Sequence, residues 1–157
     1  MRLSVNSRNT VRLAAAPSAY LVVTGVWFLL AVGYGFLYLR DNADGLLVGA
    51  SIAAVVGLGF SLWLNGFLIV LDESSLAYRD GVYRWSRIAL EDLSSIEVVW
   101  IGWGLFGARV RLPRLVVRSR AGSLIVINTK PFRQSDIREL RRALGESTSA
   151  NVSPEVN

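Results

Sequence analysis

Charge is absent from Leu13 to Leu39, returns briefly in Arg40, Asp41 and Asp44, and is absent again from Leu46 to Leu71. Each uncharged run exceeds the roughly 20 residues that a helix needs to cross a hydrocarbon layer of about 30 Å. The pattern therefore predicts two membrane spans joined by a short charged turn. The small cluster Ala14 to Ala16 precedes the first run. A secretory signal places its small residues after an apolar core of about 7 to 15 residues, so an uncleaved span is expected. The second helix is expected to stop near Leu64, because Asn65 and Gly66 form a dipeptide that favours positive φ. Residues 66–71 then read as a strand leaving the membrane surface.

After Asp72 the apolar period shortens to that of strands. Leu76 to Arg79 and Val82 to Ile88 flank Asp80-Gly81, the two-residue signature of a hairpin. Ser95 to Ile101 is rich in β-branched and aromatic residues and reads as a further strand. Pro113 divides the next segment into Ala108 to Leu112 and Leu115 to Arg120, strands separated by a bend or an edge strand with a bulge. Ala121-Gly122 turns the chain into Ser123 to Thr129. A helix follows Pro131, with Ser135 as N-cap, Asp136 in its first turn, an apolar stripe of Ile137, Leu140 and Leu144, and Arg138, Arg141 and Arg142 facing outward. The expected organisation is a cytoplasmic tail over 1–12, a transmembrane helical hairpin over 13–65, an α+β, mainly-β domain over 66–144, and a disordered tail over 145–157, which has little to bury.

The stretch GFLIVLDESSLAYRDGVYRWSRIALEDLSSIEV, residues 66–98, resembles the first half of the bacterial pleckstrin-homology-like domains of small membrane proteins. The matching positions are Leu76, Tyr78, Arg79, Gly81, Arg87, Ile88, Leu90, Asp92, Leu93 and Ile96; residues 104–144 agree by element order alone. The resemblance implies a small bent antiparallel sheet or barrel closed by a C-terminal helix. It implies little about ligand, since one fold serves many binding roles.

Composition narrows the chemistry. The 157 residues include no cysteine and no histidine, which removes disulfides, thiol nucleophiles, most zinc sites and the usual general base. Glu91 and Asp92 are adjacent, and neither they nor Glu97 have convergent partners in the pattern, so a catalytic or metal pair is not expected. No cofactor is expected either: Gly102, Gly104 and Gly107 have GxGxxG spacing, but no helix follows them, so the dinucleotide reading fails its context. The net charge is +5, and only Lys130 among the 17 basic residues is not arginine. Arg2, Arg8 and Arg12 precede the first run, Arg40 alone lies between the runs, and Arg79, Arg84 and Arg87 follow the second. The positive-inside rule then predicts a multi-pass protein of the plasma (inner) membrane with both termini cytoplasmic. Tyr20 and Trp63 would mark the inner interface, Tyr34 and Tyr38 the outer one. Neither span carries an ionisable Asp, Glu, Lys or Arg, which argues against a pump or transporter.

Two patterns are candidates for contact. Small residues recur every fourth position in the second span: Gly45, Gly49, Ala53, Gly57 and Ser61. Such a row lets helix backbones approach closely. It drifts by about 40° per step, so its outer half is expected on the first span, near Ala31 and Gly35, and its inner half on the same helix or another subunit. The second pattern is WIGWGLFGARVRLPRLVVRSR, where Trp103 and Phe106 sit in a glycine-rich connection ahead of Arg109, Arg111, Arg114, Arg118 and Arg120. On a domain held at a bilayer these aromatics and arginines suit headgroups and anionic lipid. Two alternatives stay open: Trp100 and Phe106 as core, with glycines permitting the turn, or a protein or small-ligand site. The functional expectation is a non-enzymatic, membrane-anchored interaction module binding lipid headgroups, a protein or a second copy of itself. An accessory subunit of a larger membrane complex, held through its transmembrane helices, is the alternative. Nucleic acid is disfavoured, because no reader motif is present.

Overall fold

The computed structural model describes residues 10–105 and 108–150. Strand β1 (Val11–Ala14) leads into helices α1 (Pro17–Val23), α2 (Gly25–Asp41) and α3 (Asp44–Gly66). Strands β2 (Leu68–Leu71), β3 (Ser75–Arg79) and β4 (Trp85–Ala89) follow, and a 3-10 turn at Leu90–Asp92 leads to β5 (Leu93–Leu105), β6 (Ala108–Ser119), β7 (Leu124–Asn128) and the closing helix α4 (Gln134–Ala150). The strands form two antiparallel sheets, one in the order β1-β2-β3-β4 and the other β5-β6-β7. Leu13, Ile69, Leu76, Ile88, Val117 and Ile127 from both sheets bury together with Phe132, Ile137, Leu140 and Leu144 from the closing segment in a single core.

Strand β1 corrects the expected boundary at residue 13. Val11 to Ala14 pair with Leu71 to Leu68, and Leu13 is buried in the sheet core. In sequence the segment reads as the end of a tail and the start of a span, because Leu13 and Ala14 are continuous with the apolar run, where periodicity cannot separate a short strand from a helix. The helices are consequently an insertion between two neighbouring strands.

Helix α3 is long and apolar enough to cross a membrane. Helices α1 and α2 meet that test only together, and they are bent by 42° at their junction. Thr24 sits at the break: its hydroxyl donates to the Tyr20 carbonyl at 2.7 Å, the back-bonding geometry that bends helices. Asn42 ends α2 in the left-handed conformation, φ 51°, which asparagine tolerates. The α2–α3 pair is antiparallel: a Cβ added to Gly49 would lie 3.5 Å from the Tyr34 ring, and one on Gly57 would lie 3.2 Å from Trp27 Cβ. Away from that seam Leu29, Val32, Leu39 and Val55 are exposed, an apolar exterior compatible with membrane association.

Three other sequence expectations change. The helix α3 runs through Asn65 and ends at Gly66, where the glycine provides space rather than positive φ: a Cβ there would fall 2.6 Å from the Gly81 carbonyl oxygen. Strand β6 is continuous through Pro113, which pairs with Trp100. The Pro113 carbonyl accepts from Thr129 Oγ1 at 2.9 Å, so the backbone edge that lacks an N–H faces away from β5 and costs no ladder bond. Helix α4 continues through Gly145 to Ala150, so residues 145–150 are not the start of a disordered tail. Gly145 does not take the left-handed conformation that ends helices, and a glycine within a helix costs only about 1 kcal/mol relative to alanine. The remainder of the expected tail, 151–157, lies outside the described residues.

Candidate functional site

The site forms where α3 meets the sheets. Asp80 organises the turn between β3 and β4: its carboxylate accepts the N–H groups of Val82 and Arg84, each at 2.9 Å. The turn spans Asp80 to Arg84 rather than two residues, and its positive φ, 63°, falls on Tyr83 rather than on Gly81. Gly81 is there for close approach. It is buried, and a Cβ on it would overlap the Trp63 indole and lie 2.7 Å from the Phe67 ring. Tyr83 Oη donates to the Leu62 carbonyl at 2.9 Å, which sets the turn beside the last residues of α3. Arg79 donates to the Gly66 and Asn65 carbonyls, and Tyr20 Oη donates to Asn65 Oδ1 at 2.7 Å. Val82, Tyr83 and Trp85 remain exposed around this joint.

Beside the joint lies a cleft of about 650 Å³, inside the range of about 300 to 1,000 Å³ usual for ligand sites. One wall is α1, through Ser18, Ala19, Val22 and Val23; the floor is Trp63 and Leu64; the other wall is Leu112 and Arg114 of β6 with Asn128, Lys130 and Pro131. A smaller recess of about 350 Å³ adjoins it, lined by Tyr78, Asp80, Arg84 and Ser86 among others. Trp63, Arg114 and Asn128 line both. Burial raises the phenol pKa of Tyr78; the Asn128 N–H, which it accepts at 3.3 Å, and the Arg114 charge oppose that rise. Among the described residues no acidic side chain lines the larger cleft. Among the described residues the ion pairs are Arg40 with Asp41 and Arg87 with Asp72, so Arg114 and Lys130 have no acidic partner there. The cleft suits a molecule that is anionic at one end and apolar along its length. Among the described residues no three His, Cys, Asp or Glu side chains gather to hold a metal ion.

The residues singled out from the sequence are distributed unevenly. Arg114 is at the cleft. Arg118 lies four residues along β6, about 13 Å away at a strand's rise, and is exposed. Arg120 is also exposed, and its N–H bonds the Asp92 carbonyl at 2.7 Å, at the end of the 3-10 turn that leads into β5. Phe106 lies outside the described residues, as do the side chains of Trp103, Arg109 and Arg111; by backbone register Trp103 pairs with Val110, Arg109 with Gly104 and Arg111 with Gly102. Trp100 is 62% exposed, which removes it from the core. In the small-residue row, Gly49, buried Ala53 and buried Gly57 lie on α3, with α2 facing both glycines. Ser61 is half-buried, and Gly45 is exposed with nothing within 4 Å of an added Cβ.

Lys130, Asn128, Tyr83, Trp85 and the capping role of Arg79 do not stand out in the sequence as site residues. The run YRDGVYRW carried the only signal available, aromatics alternating with arginines around a turn. Lys130 and Asn128 gave none, because their neighbourhood is made by pairing distant segments. No family model, no curated protein and no solved structure matches the chain.

Proposed function

We propose that the chain is a non-catalytic interaction module in which two spans hold a pleckstrin-homology-like body against the cytoplasmic face of a bacterial plasma membrane, where it binds lipid headgroups or a protein. Helix α3 forms one span. The other is α2 together with part of α1, since the 17 residues of α2 reach about 25 Å and fall short of a 30 Å layer. Ala14 and Leu68, which lead into and out of the helices, are paired neighbours in one sheet, and this supports a hairpin whose two ends open on the same side. The arginine distribution favours the cytoplasm as that side. Two sheets of four and three strands with a C-terminal helix agree with the architecture implied by the resemblance of residues 66–98.

The observation that carries this reading is the joint. Arg79, Tyr83 and the close approach of Gly66 and Gly81 fix the sheets to the end of α3, so the body sits at one height above the bilayer and keeps Tyr83 and Trp85 at headgroup level. Isolation of the full-length protein in nanodiscs with its native lipid, read by mass spectrometry, tests it. Lipids or proteins enriched with the natural chain should be lost when Arg84 and Arg114 are both changed to Glu. The same partners retained by that variant would overturn the reading.

One observation favours the accessory-subunit alternative. The outer side of α3 carries a notch of about 360 Å³ lined by Val56, Gly59, Phe60 and Trp63, where a Cβ on Gly59 would meet nothing. On that alternative Gly59→Leu removes the co-isolated membrane protein and the arginine changes do not.

A further inference from the structure

We infer that the cleft between α1 and the β6–β7 sheet holds one anionic phospholipid from the bilayer, its phosphate between Arg114 and Lys130 and an acyl chain along Val22, Val23 and Leu112. This rests on the membrane reading proposed above. Position comes first: the floor of the cleft is Trp63 and Leu64, the last turns of the helix long and apolar enough to span, so a lipid reaches it without leaving the leaflet. Polarity comes second. The α1 wall is aliphatic apart from Ser18, and Leu21 and Val22 are 75% and 68% exposed on that helix, continuing the apolar path outward. Charge comes third. Arg114 and Lys130 stand on the opposite wall, and among the described residues no acidic side chain lines this cleft, so it has an apolar side and a cationic side. A soluble anion uses only the second side; a phospholipid uses both.

The adjoining recess extends the match. Arg114 and Asn128 line both cavities, and beyond them Tyr78, Asp80, Arg84 and Ser86 offer donors and acceptors. A phosphate held at Arg114 places a hydroxylated headgroup at the mouth of that recess while the chain runs the other way. Arginine suits this neck, since its planar fork binds a phosphate through two parallel bonds.

The test uses the full-length chain in nanodiscs containing phosphatidylglycerol and phosphatidylcholine, with bound lipid counted by native mass spectrometry after release. One phosphatidylglycerol should remain on the natural chain and phosphatidylcholine should not. Arg114→Ala with Lys130→Ala should weaken retention roughly thirtyfold, and Lys130→Ala alone, at an exposed position, about fivefold. Val22→Trp, which fills the apolar end and leaves both charges, should abolish retention. Arg118→Ala with Arg120→Ala removes the same charge outside the cleft and should change nothing. Equal losses from the two double variants would overturn the site in favour of diffuse surface attraction. Displacement of the lipid by millimolar sn-glycerol 3-phosphate would overturn it in favour of a site for soluble phosphate. A chain that does not enter nanodiscs at all would overturn the membrane reading itself, an outcome separate from insertion without selective retention.

Discussion

Arg79 holds Gly66 across the joint: its Nε donates to the Gly66 carbonyl at 2.8 Å, while its guanidinium carbon lies 5.1 Å from the Tyr83 ring centre and 5.5 Å from that of Trp85. The carbonyls at the C-terminus of α3 have no helical partner beyond Gly66, and a cation there also complements the helix dipole. One side chain thus closes the helix and orders two exposed aromatics.

Replacing Arg79 by Ala should therefore lower the stability of the full-length protein in detergent by about 1.5–3 kcal/mol, the worth of hydrogen bonds to a charged group. Arg79→Lys should recover only part of this, because an ammonium cannot reproduce the fork that reaches the Gly66 and Asn65 carbonyls together. A thermal unfolding series monitored by tryptophan fluorescence checks both, and equal stability of the Ala and natural chains would remove the capping role.

Gly81→Ala and Gly66→Ala should each cost about 1–3 kcal/mol through overpacking, since the added methyl meets the Trp63 indole in one case and the Gly81 backbone in the other. Gly59→Ala is the contrast. Nothing lies within 4 Å of its Cβ, so stability should hold or rise by up to about 1 kcal/mol. The same unfolding measurement ranks the three.

Acid sensitivity should come partly from Asp72. The Ser74 N–H foremost, with the Ser75 and Ser74 hydroxyls and the Ser75 N–H, lowers its carboxyl pKa below 3.8 against the opposing effect of burial. A folded value below the unfolded one means that the stabilisation is present above pH 3.8 and is lost as the pH falls through the lower folded value. Asp72→Asn should melt earlier at neutral pH and lose less on acidification to pH 3. A parallel acid limb in the two proteins would contradict this.

Much of the fold could be read from the residues because the signals were local. The length of the run from Leu46 marks α3, the alternation around Leu76 and Ile88 marks β3 and β4, and Ile137, Leu140 and Leu144 mark the buried stripe of α4. What escaped was set by tertiary context. Strand β1 is too short to separate from the apolar run it enters, and Gly81 is required by Trp63 and Phe67 rather than by its own φ. The cleft was hidden for the same reason. Arg114 and Lys130 come together only because β7 and the segment after it fold back along β6, and no spacing within the run of arginines distinguishes Arg114 from Arg118.

The most direct measurement concerns sidedness. The chain has no cysteine, so Ala43→Cys, in the turn between α2 and α3, and Ser123→Cys, between β6 and β7, each report one place. With a membrane-impermeant maleimide, Ala43→Cys should be labelled in intact cells and Ser123→Cys only after permeabilisation. Labelling of Ser123→Cys in intact cells, or recovery of the protein in the water-soluble fraction, would contradict a body held by two spans against the inner leaflet.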